Sequence, residues 1–129
     1  MKKIKIIPIQ QLKIHEKIDK KNLAKLKSQI LKDGYLNNPI IVDKDNFIIL
    51  DGHHRAHSLL DLGYKKIPAY LVDYCSRKIR VISRRPEIII NKKEIIRHAL
   101  ARKPYPHKTS KHLIPGRPQS LRIPLTKLL

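Results

Sequence analysis

The hydrophobic and polar positions of this chain switch between two periods, which predict short strands and amphipathic helices. Residues 4–9 are β-branched and include Pro8, which predicts a strand at the edge or the end of a sheet. Apolar residues then recur at helical spacing between Asp19, a good helix cap, and Gly34, a good helix terminator. The first part of the chain therefore predicts one strand followed by one helix.

The middle of the chain predicts a hairpin that leads into a second helix. The apolar runs 39–42 and 47–50 flank a polar, turn-rich segment, which predicts two paired antiparallel strands. The second run ends at Asp51 and Gly52, and apolar residues recur at helical spacing beyond them. Another strand is expected at residues 67–72.

The last third of the chain is less regular. Residues 78–82 predict a further strand, and Asn91 followed three positions later by Glu94 predicts the start of a helix that ends before Pro104. Residues 105–129 contain four prolines, one glycine and little periodicity. We expect this segment to form an extended basic arm that packs on the rest of the protein.

Length and composition favour one small domain. The chain has 129 residues, of which 41% are hydrophobic, enough to close a core. Together with the predicted elements, this favours an α/β domain of the α+β type with a mixed sheet and a few helices. We expect residues 1–103 to form this domain and residues 104–129 to form the arm that packs on it.

The charge indicates an anionic partner. The formal net charge is +19, and residues 75–129 carry 15 basic but only 2 acidic residues. Polyanions or small phosphate-bearing ligands are therefore the natural partners, although charge alone does not choose between nucleic acid and nucleotides. Because there is a single cysteine, Cys75, and no long apolar run, we expect a cytoplasmic protein without a membrane partner.

The densest group of chemically versatile residues is Asp51-Gly52-His53-His54-Arg55, at the predicted strand-to-helix junction. Glycine lets a ligand approach the backbone, while the first helical N–H groups and the cation of Arg55 face any bound anion. Asp51 could orient a hydroxyl or hold magnesium, and His53 or His54 could donate to phosphate oxygens or move a proton. This junction is therefore a candidate phosphate site.

The same motif carries a family resemblance. Residues 49–55, Ile-Leu-Asp-Gly-His-His-Arg, resemble the signature of the ParB/sulfiredoxin-like nucleotide-binding superfamily. Residues 12–16, Leu-Lys-Ile-His-Glu, and residues 106–112, Pro-His-Lys-Thr-Ser-Lys-His, are similar in order and content to motifs of its free serine kinases. Two features depart from that family: an inserted segment of the longer members is missing, and Lys111 stands where arginine is usual.

The resemblance implies a free L-serine kinase, which moves a phosphoryl group from ADP or ATP to the serine hydroxyl with magnesium. The product, O-phospho-L-serine, would serve cysteine or related biosynthesis. Glu16 is the implied general base, because the hydroxyl must lose a proton as it attacks phosphorus. The other implied site residues are Asp51 for catalysis and magnesium, Gly52, His53, His54 and Arg55 for the nucleotide phosphates, and Lys108, Thr109, Ser110, Lys111 and His112 for the substrate.

Three alternatives stay open on the sequence. The charge also suits a nucleic-acid-binding module, although no helix-turn-helix pair is evident. A nucleotide sensor without turnover is another, although binding alone does not need a base at Glu16. For that residue, the plainer interpretation is a solvated ion pair with Lys13 or Lys17. Sulfiredoxin chemistry is disfavoured, because its reactive cysteine is replaced by His53.

Overall fold

The computed structural model describes residues 4–129. The strands are β1 (Ile4–Pro8), β2 (Tyr35–Leu36), β3 (Ile40–Asp43), β4 (Ile49–Asp51), β5 (Lys66–Val72), β6 (Arg80–Ser83), β7 (Ser110–Leu113) and β8 (Ile123–Pro124), and the α-helices are α1 (Lys20–Asp33), α2 (His53–Asp61) and α3 (Lys92–Leu100). The central sheet has the order β1-β5-β3-β4, in which β5 and β3 run parallel and the other neighbours run antiparallel. The expected α+β fold with a mixed sheet is confirmed.

The helices begin and end where the capping residues predict. The side chain of Asp19 accepts a hydrogen bond from the backbone N–H of Lys21, and Gly34 ends α1 in the left-handed region at φ 75°. Asn91 accepts from the N–H of Glu94 at 2.9 Å and so begins α3. These caps satisfy N–H groups that have no partner within the helix, which is why the local sequence located both starts correctly.

The hairpin, the strand of residues 67–72 and the strand near residue 80 are also confirmed. β3 pairs with β4 across a turn in which Phe47 adopts φ 56°, and β1 occupies the sheet edge that Pro8 requires. β4 then leads through Gly52 directly into α2. This junction places the motif of residues 51–55 at one end of the central sheet.

Side chains of the central sheet alternate between its two faces, and both faces are covered by other elements. On one face, Ile40 and Val42 pack with residues of α1 and α2 and with Leu125 and Leu128 near the C-terminus. On the other face, Ile41 packs with residues of α3 and of the segment that includes Tyr105 and Ile114. Within the described residues 4–129, no helix is both long and apolar enough to cross a membrane.

The C-terminal segment is more regular than the extended arm that the sequence predicts. β7 pairs antiparallel with β6, and β8 pairs with β2. A short 3-10 turn at Leu125–Leu128 follows, and both of its terminal leucines are buried. Strands this short, separated by prolines, carry too few residues to show a period, and their pairing depends on partners far away in sequence.

Candidate active site

The segment that carries Glu16 is fixed by backbone pairing on two sides. On one side, the N–H of Lys13 donates to the carbonyl of Phe47, and the carbonyl of Lys13 accepts from Ile49. On the other side, Tyr105 bonds through its N–H to the carbonyl of His15 and through its own carbonyl to the N–H of Lys17, each at 2.8 Å. Glu16 therefore lies on a short extended stretch between β4 and the start of the C-terminal segment.

The carboxylate of Glu16 faces Ser110 and His15. Its Oε2 atom accepts from the hydroxyl of Ser110 at 2.7 Å and from the backbone N–H of Ser110 at 3.3 Å. His15 Nε2 lies 3.0 Å from the same hydroxyl, and His15 Nδ1 donates to the carbonyl of Ile49 at 2.7 Å. The ion pair with Lys13 that the sequence left open is absent from these contacts, and Lys13 instead donates to the carbonyl of Asn46.

The first turn of α2 offers unpaired backbone donors. Gly52 caps the helix at φ 111° without a side-chain capping bond, so the N–H groups of the first turn point away from the helix end. A Cβ atom at this position would come within 2.8 Å of the Cβ of Ile40. Both the backbone conformation and this close packing require glycine. A helix start of this kind attracts anions, as the sequence predicts for a phosphate.

His53 and His54 use their Nε2 atoms to hold the segment that carries Glu16. His53 Nε2 accepts from the N–H of His15 at 3.2 Å, and His54 Nε2 accepts from the N–H of Asp19 at 2.9 Å. Burial lowers the pKa of both histidines, well below the ordinary value for His53, which also faces three other histidines. The Nε2 atom of each ring is thus a neutral acceptor that is already used within the protein, and a phosphate contact from either histidine stays a prediction.

Asp51 and Arg55 take part in an ion cluster with Arg117. Asp51 Oδ2 accepts from Arg117 and lies 3.6 Å from the guanidinium of Arg55. Burial raises the pKa of Asp51, but these two guanidinium groups outweigh it, so the net pKa is lowered. Arg55 also donates to the carbonyls of Asn38 and Pro39. Arg55 is therefore engaged mainly by protein partners, and its contact with the nucleotide phosphates stays a prediction.

The residues present do not form a resident magnesium site. Asp51, the expected ligand, has one carboxylate oxygen engaged by Arg117 and a second guanidinium close by. No group of three or more potential ligands occurs among His, Cys, Asp and Glu in the part of the chain that the structure describes. Magnesium with this protein would have to arrive bound to the phosphates of a nucleotide, which is a common way for proteins to use it.

The five expected substrate residues divide into three groups. Lys108 and Lys111 line a polar cavity. Thr109 is fully buried and donates its hydroxyl to the carbonyl of Pro106 at 2.5 Å, so its side chain is already engaged and its expected substrate contact stays a prediction. Ser110 and His112 line the cavity but bond to protein partners, Ser110 to Glu16 and His112 to the hydroxyl of Tyr74 at 2.7 Å.

Three basic residues of the site were not predicted from the sequence. Lys17, Arg84 and Arg117 line the same polar cavity as Glu16 and Gly52. Their local sequences contain no motif, and a charge pattern alone does not separate them from other surface cations. Arg84 is placed by its position just after β6, where its N–H donates to the carbonyl of Thr109 at 2.8 Å.

Two adjoining cavities meet at Glu16. The polar cavity has a volume of about 370 Å³ and contains the first turn of α2 and the cations described above. A second, mostly apolar cavity of about 580 Å³ lies beside it and has walls formed by isoleucines, leucines and Ala56. Glu16, Lys17 and His53 line both. Together the cavities can take a ligand with one apolar part and one anionic part, and place a carboxylate between the two.

Comparisons with known proteins assign the chain to a family. Residues 1–84 match the model of the ParB N-terminal domain, and the chain belongs to this family. It is similar to an ATP-dependent L-serine kinase from Staphylothermus marinus, with 37% identity over 93 residues that cover 67% of this chain and 37% of that protein. It is also similar to an ADP-dependent L-serine kinase from Thermococcus kodakarensis, with 32% identity over 79 residues, 58% of this chain and 33% of that protein.

A solved structure supports the fold assignment. A free serine kinase in complex with AMP superimposes with a TM-score of 0.90 at 16% identity, covering 98% of this chain and 93% of that chain. The two curated kinases are longer, since the matched part of this chain spans only 37% and 33% of them. The similarity to serine kinases stated from the motifs is thus confirmed at the level of family and fold.

Proposed function

We propose that this protein is a free L-serine kinase that transfers a phosphoryl group from ADP or ATP to the serine hydroxyl and forms O-phospho-L-serine. The observation that carries the proposal is the position of Glu16, a carboxylate that lines both cavities beside the helix start at Gly52. A binding protein needs the helix start and the cations but has no use for a base at their junction. The serine kinases among the relatives add support.

The two cavities suggest where each of the two substrates binds. The nucleoside occupies the apolar cavity, and the phosphates reach past Glu16 to the unpaired N–H groups of the first turn of α2. Free L-serine occupies the polar cavity, where Lys108, Lys111 and Arg84 are available to its carboxylate and to the transferred phosphoryl group. Magnesium enters with the nucleotide as part of the substrate.

In this arrangement the protein contributes to the chemical step mainly by positioning the two substrates and by stabilising the charge of the transferred phosphoryl group. Glu16 accepts the hydroxyl proton of serine as the oxygen attacks phosphorus, and the bond between phosphorus and the leaving oxygen of the nucleotide breaks. The lysines and Arg84 offset the negative charge of the transferred group. The reaction uses a soluble amino acid and a nucleotide, so we place it in the cytoplasm.

A nucleic-acid-binding function is the second candidate, and one observation favours it. Lys78, Arg80, Lys111 and Arg117 line a shallow basic depression beside the polar cavity, on a chain with a net charge of +19. Such a surface binds phosphate backbones without sequence preference, with an affinity that falls steeply as salt rises.

Phosphorus NMR of the purified protein with L-serine, magnesium and either ADP or ATP tests the proposal. We expect a phosphomonoester signal of O-phospho-L-serine with at least one donor, and none when magnesium is chelated. Glu16→Gln is the matched control, because it removes the proton acceptor and preserves shape. If neither donor gives product while the protein binds DNA at physiological salt with an affinity that falls steeply as salt rises, the kinase proposal is wrong and the alternative stands.

A further inference from the structure

Ser110 lies between two acceptors and has only one hydroxyl proton. His15 Nδ1 donates to the carbonyl of Ile49, and because a carbonyl only accepts, neutral His15 carries its lone pair on Nε2. That atom lies 3.0 Å from Ser110 Oγ, which in turn lies 2.7 Å from Glu16 Oε2. The hydroxyl can therefore donate to the carboxylate or to the imidazole, but not to both at once.

The choice between the two acceptors depends on the charge of Glu16. An ionised carboxylate is a stronger acceptor than a neutral imidazole, so the Ser110 proton points to Glu16 while Glu16 is charged. His15 Nε2 then has no donor, although His15 is fully buried. Once Glu16 takes up a proton, its oxygen becomes a weak acceptor and the imidazole becomes the better one. The hydroxyl then turns to His15 and exchanges its hydrogen bond to Glu16 for one to the imidazole.

The turn of the Ser110 hydroxyl from Glu16 to His15 is a switch that requires a neutral His15. The surroundings keep His15 neutral. Burial lowers the pKa of His15, while the neighbouring Glu16 opposes that shift. The rings of His53 and His112 lie edge-on to it at 4.6 and 5.5 Å, and burial lowers the pKa of both. His15 lies 3.7 Å from the Glu16 carboxylate. The other charged or titratable groups that line a cavity with Glu16 are Lys17, Asp51, His53, His54, Arg55, His57, Arg84, Lys108, Lys111, His112 and Arg117.

We propose that His15 is a positioning residue that acts through Ser110 to increase the proton affinity of Glu16, because the turned hydroxyl gives His15 its missing donor only when Glu16 is protonated. The inference rests on the proposed function, in which Glu16 accepts the serine proton. It also reassigns Ser110: its hydroxyl serves the base, whereas the sequence predicts a direct contact with the substrate.

Two substitutions of His15 separate the switch from simple packing. His15→Asn keeps an amide near the Nδ1 position, able to donate to Ile49, but places no acceptor at Ser110. His15→Gln extends far enough to offer its amide oxygen to the hydroxyl. Carbon-13 NMR of the Glu16 side-chain carboxyl follows its titration directly and needs no turnover, so the result does not depend on kinase activity.

We expect the titration midpoint of Glu16 to fall by roughly half to one pH unit in His15→Asn, the equivalent of one ordinary hydrogen bond, and to return towards wild type in His15→Gln. If the protein is a kinase, the acidic limb of its kcat profile moves by the same amount. A folded His15→Asn protein with an unchanged or raised midpoint overturns the inference.

Ser110→Ala provides a second test that leaves His15 in place. It removes the hydroxyl donor that stabilises the ionised carboxylate, so its midpoint should lie above that of His15→Asn, and Ser110→Thr should restore the wild-type value. Equal midpoints in Ser110→Ala and His15→Asn contradict the switch. Absence of phosphoserine formation together with these shifts would instead reject the kinase function and keep the switch.

Discussion

Glu16 is the residue at which the proposed chemistry can be tested most directly. Glutamine keeps the shape of the side chain and can still accept from the N–H and hydroxyl of Ser110, which lie 3.3 and 2.7 Å from Oε2. It cannot take up the serine proton. We expect Glu16→Gln to lower kcat by ~10²–10⁴-fold and to leave nucleotide affinity nearly unchanged. Steady-state kinetics and calorimetry with ADP measure the two quantities, and near-native kcat would show that Glu16 is not the base.

Gly52 is the residue at which backbone geometry limits which side chains the fold can tolerate. Its φ of 111° and the closeness of the Ile40 side chain mean that any Cβ strains the junction between β4 and α2. We expect Gly52→Ala to lower the free energy of unfolding by about 1–3 kcal/mol or more. Gly63→Ala is the matched control, since Gly63 also has a positive φ, 91°, but nothing lies near its missing Cβ. Urea denaturation compares them, and equal losses would show that contact with Ile40 is unimportant.

At this scale, the sequence located the site but could not assign each side chain. Glu16, Gly52 and Lys108 were predicted from their motifs and line the polar cavity together. Thr109 was assigned to the substrate because it lies beside such residues in sequence, yet its side chain turns inward to Pro106. Arg84 was missed because only the pairing of β6 with β7 brings it to the cavity. Burial and strand register, which decide these cases, are not local properties.

Among the elements, α2 is joined to the start of α1 by one side chain. His54 accepts from the N–H of Asp19, the residue that caps α1. We expect His54→Leu to expose that amide to exchange and to lower kcat/KM by about two- to tenfold, the value of one net hydrogen bond. His54→Gln, which can still offer an acceptor, should lose less. Hydrogen exchange followed by NMR gives the Asp19 amide rate, and an unchanged rate in His54→Leu would contradict this role.

The last residues of the chain show whether the C-terminal segment is part of the cooperative unit. Leu128 is fully buried against the central sheet, whereas its neighbour Leu129 is 69% exposed. We expect Leu128→Ala to cost about 2–5 kcal/mol of unfolding free energy and Leu129→Ala to cost almost nothing. A single shifted transition in chemical denaturation would show that residues 104–129 unfold together with the rest of the domain. Two transitions, of which only the one at lower denaturant concentration shifts, would show that residues 104–129 unfold as an independent arm.

The elements that were predicted correctly are those whose signals are local. Asp19 and Gly34 delimit α1, and Asn91 begins α3, because capping involves residues only a few positions apart. β7 and β8 were not predicted, because β7 needs β6, and β8 needs β2, as partners. A two-residue strand such as β8 has no periodicity to detect. Long-range pairing therefore explains most of the difference between the predicted arm and the observed one.

For the whole molecule, the high net charge can be seen in the sequence, whereas the cluster of buried histidines cannot. The net charge of +19 is obvious in the composition and leaves two functions open. The cluster of His15, His53 and His112 is invisible there, because these residues are far apart in the chain and meet only when the segment that carries Glu16, α2 and β7 assemble. Of the two features, the cluster is the one that makes the stability of the fold depend on pH.

His112 gives that dependence a definite sign. Burial and the neighbouring His15 lower its pKa to about 3, whereas an unfolded chain restores a value near 6.5. Between these values the unfolded state binds a proton that the folded state excludes, so the contribution to stability is complete above about pH 6.5 and declines as the pH falls towards about 3. The pKa of His53 is lowered in the same direction.

We therefore expect the free energy of unfolding to fall on acidification, with each such histidine adding a slope of up to about 1.4 kcal/mol per pH unit. His112→Gln, which does not titrate and can still bond to Tyr74, should reduce the slope by about one histidine between about pH 4.5 and 6.5, where most carboxylates stay ionised. His57→Gln is the control, because the His57 side chain is 44% exposed. Urea titrations followed by circular dichroism across this range provide the slopes. An unchanged slope in His112→Gln would show that His112 is protonated in the folded protein, and its hydrogen bond to Tyr74 would then have to be reassigned.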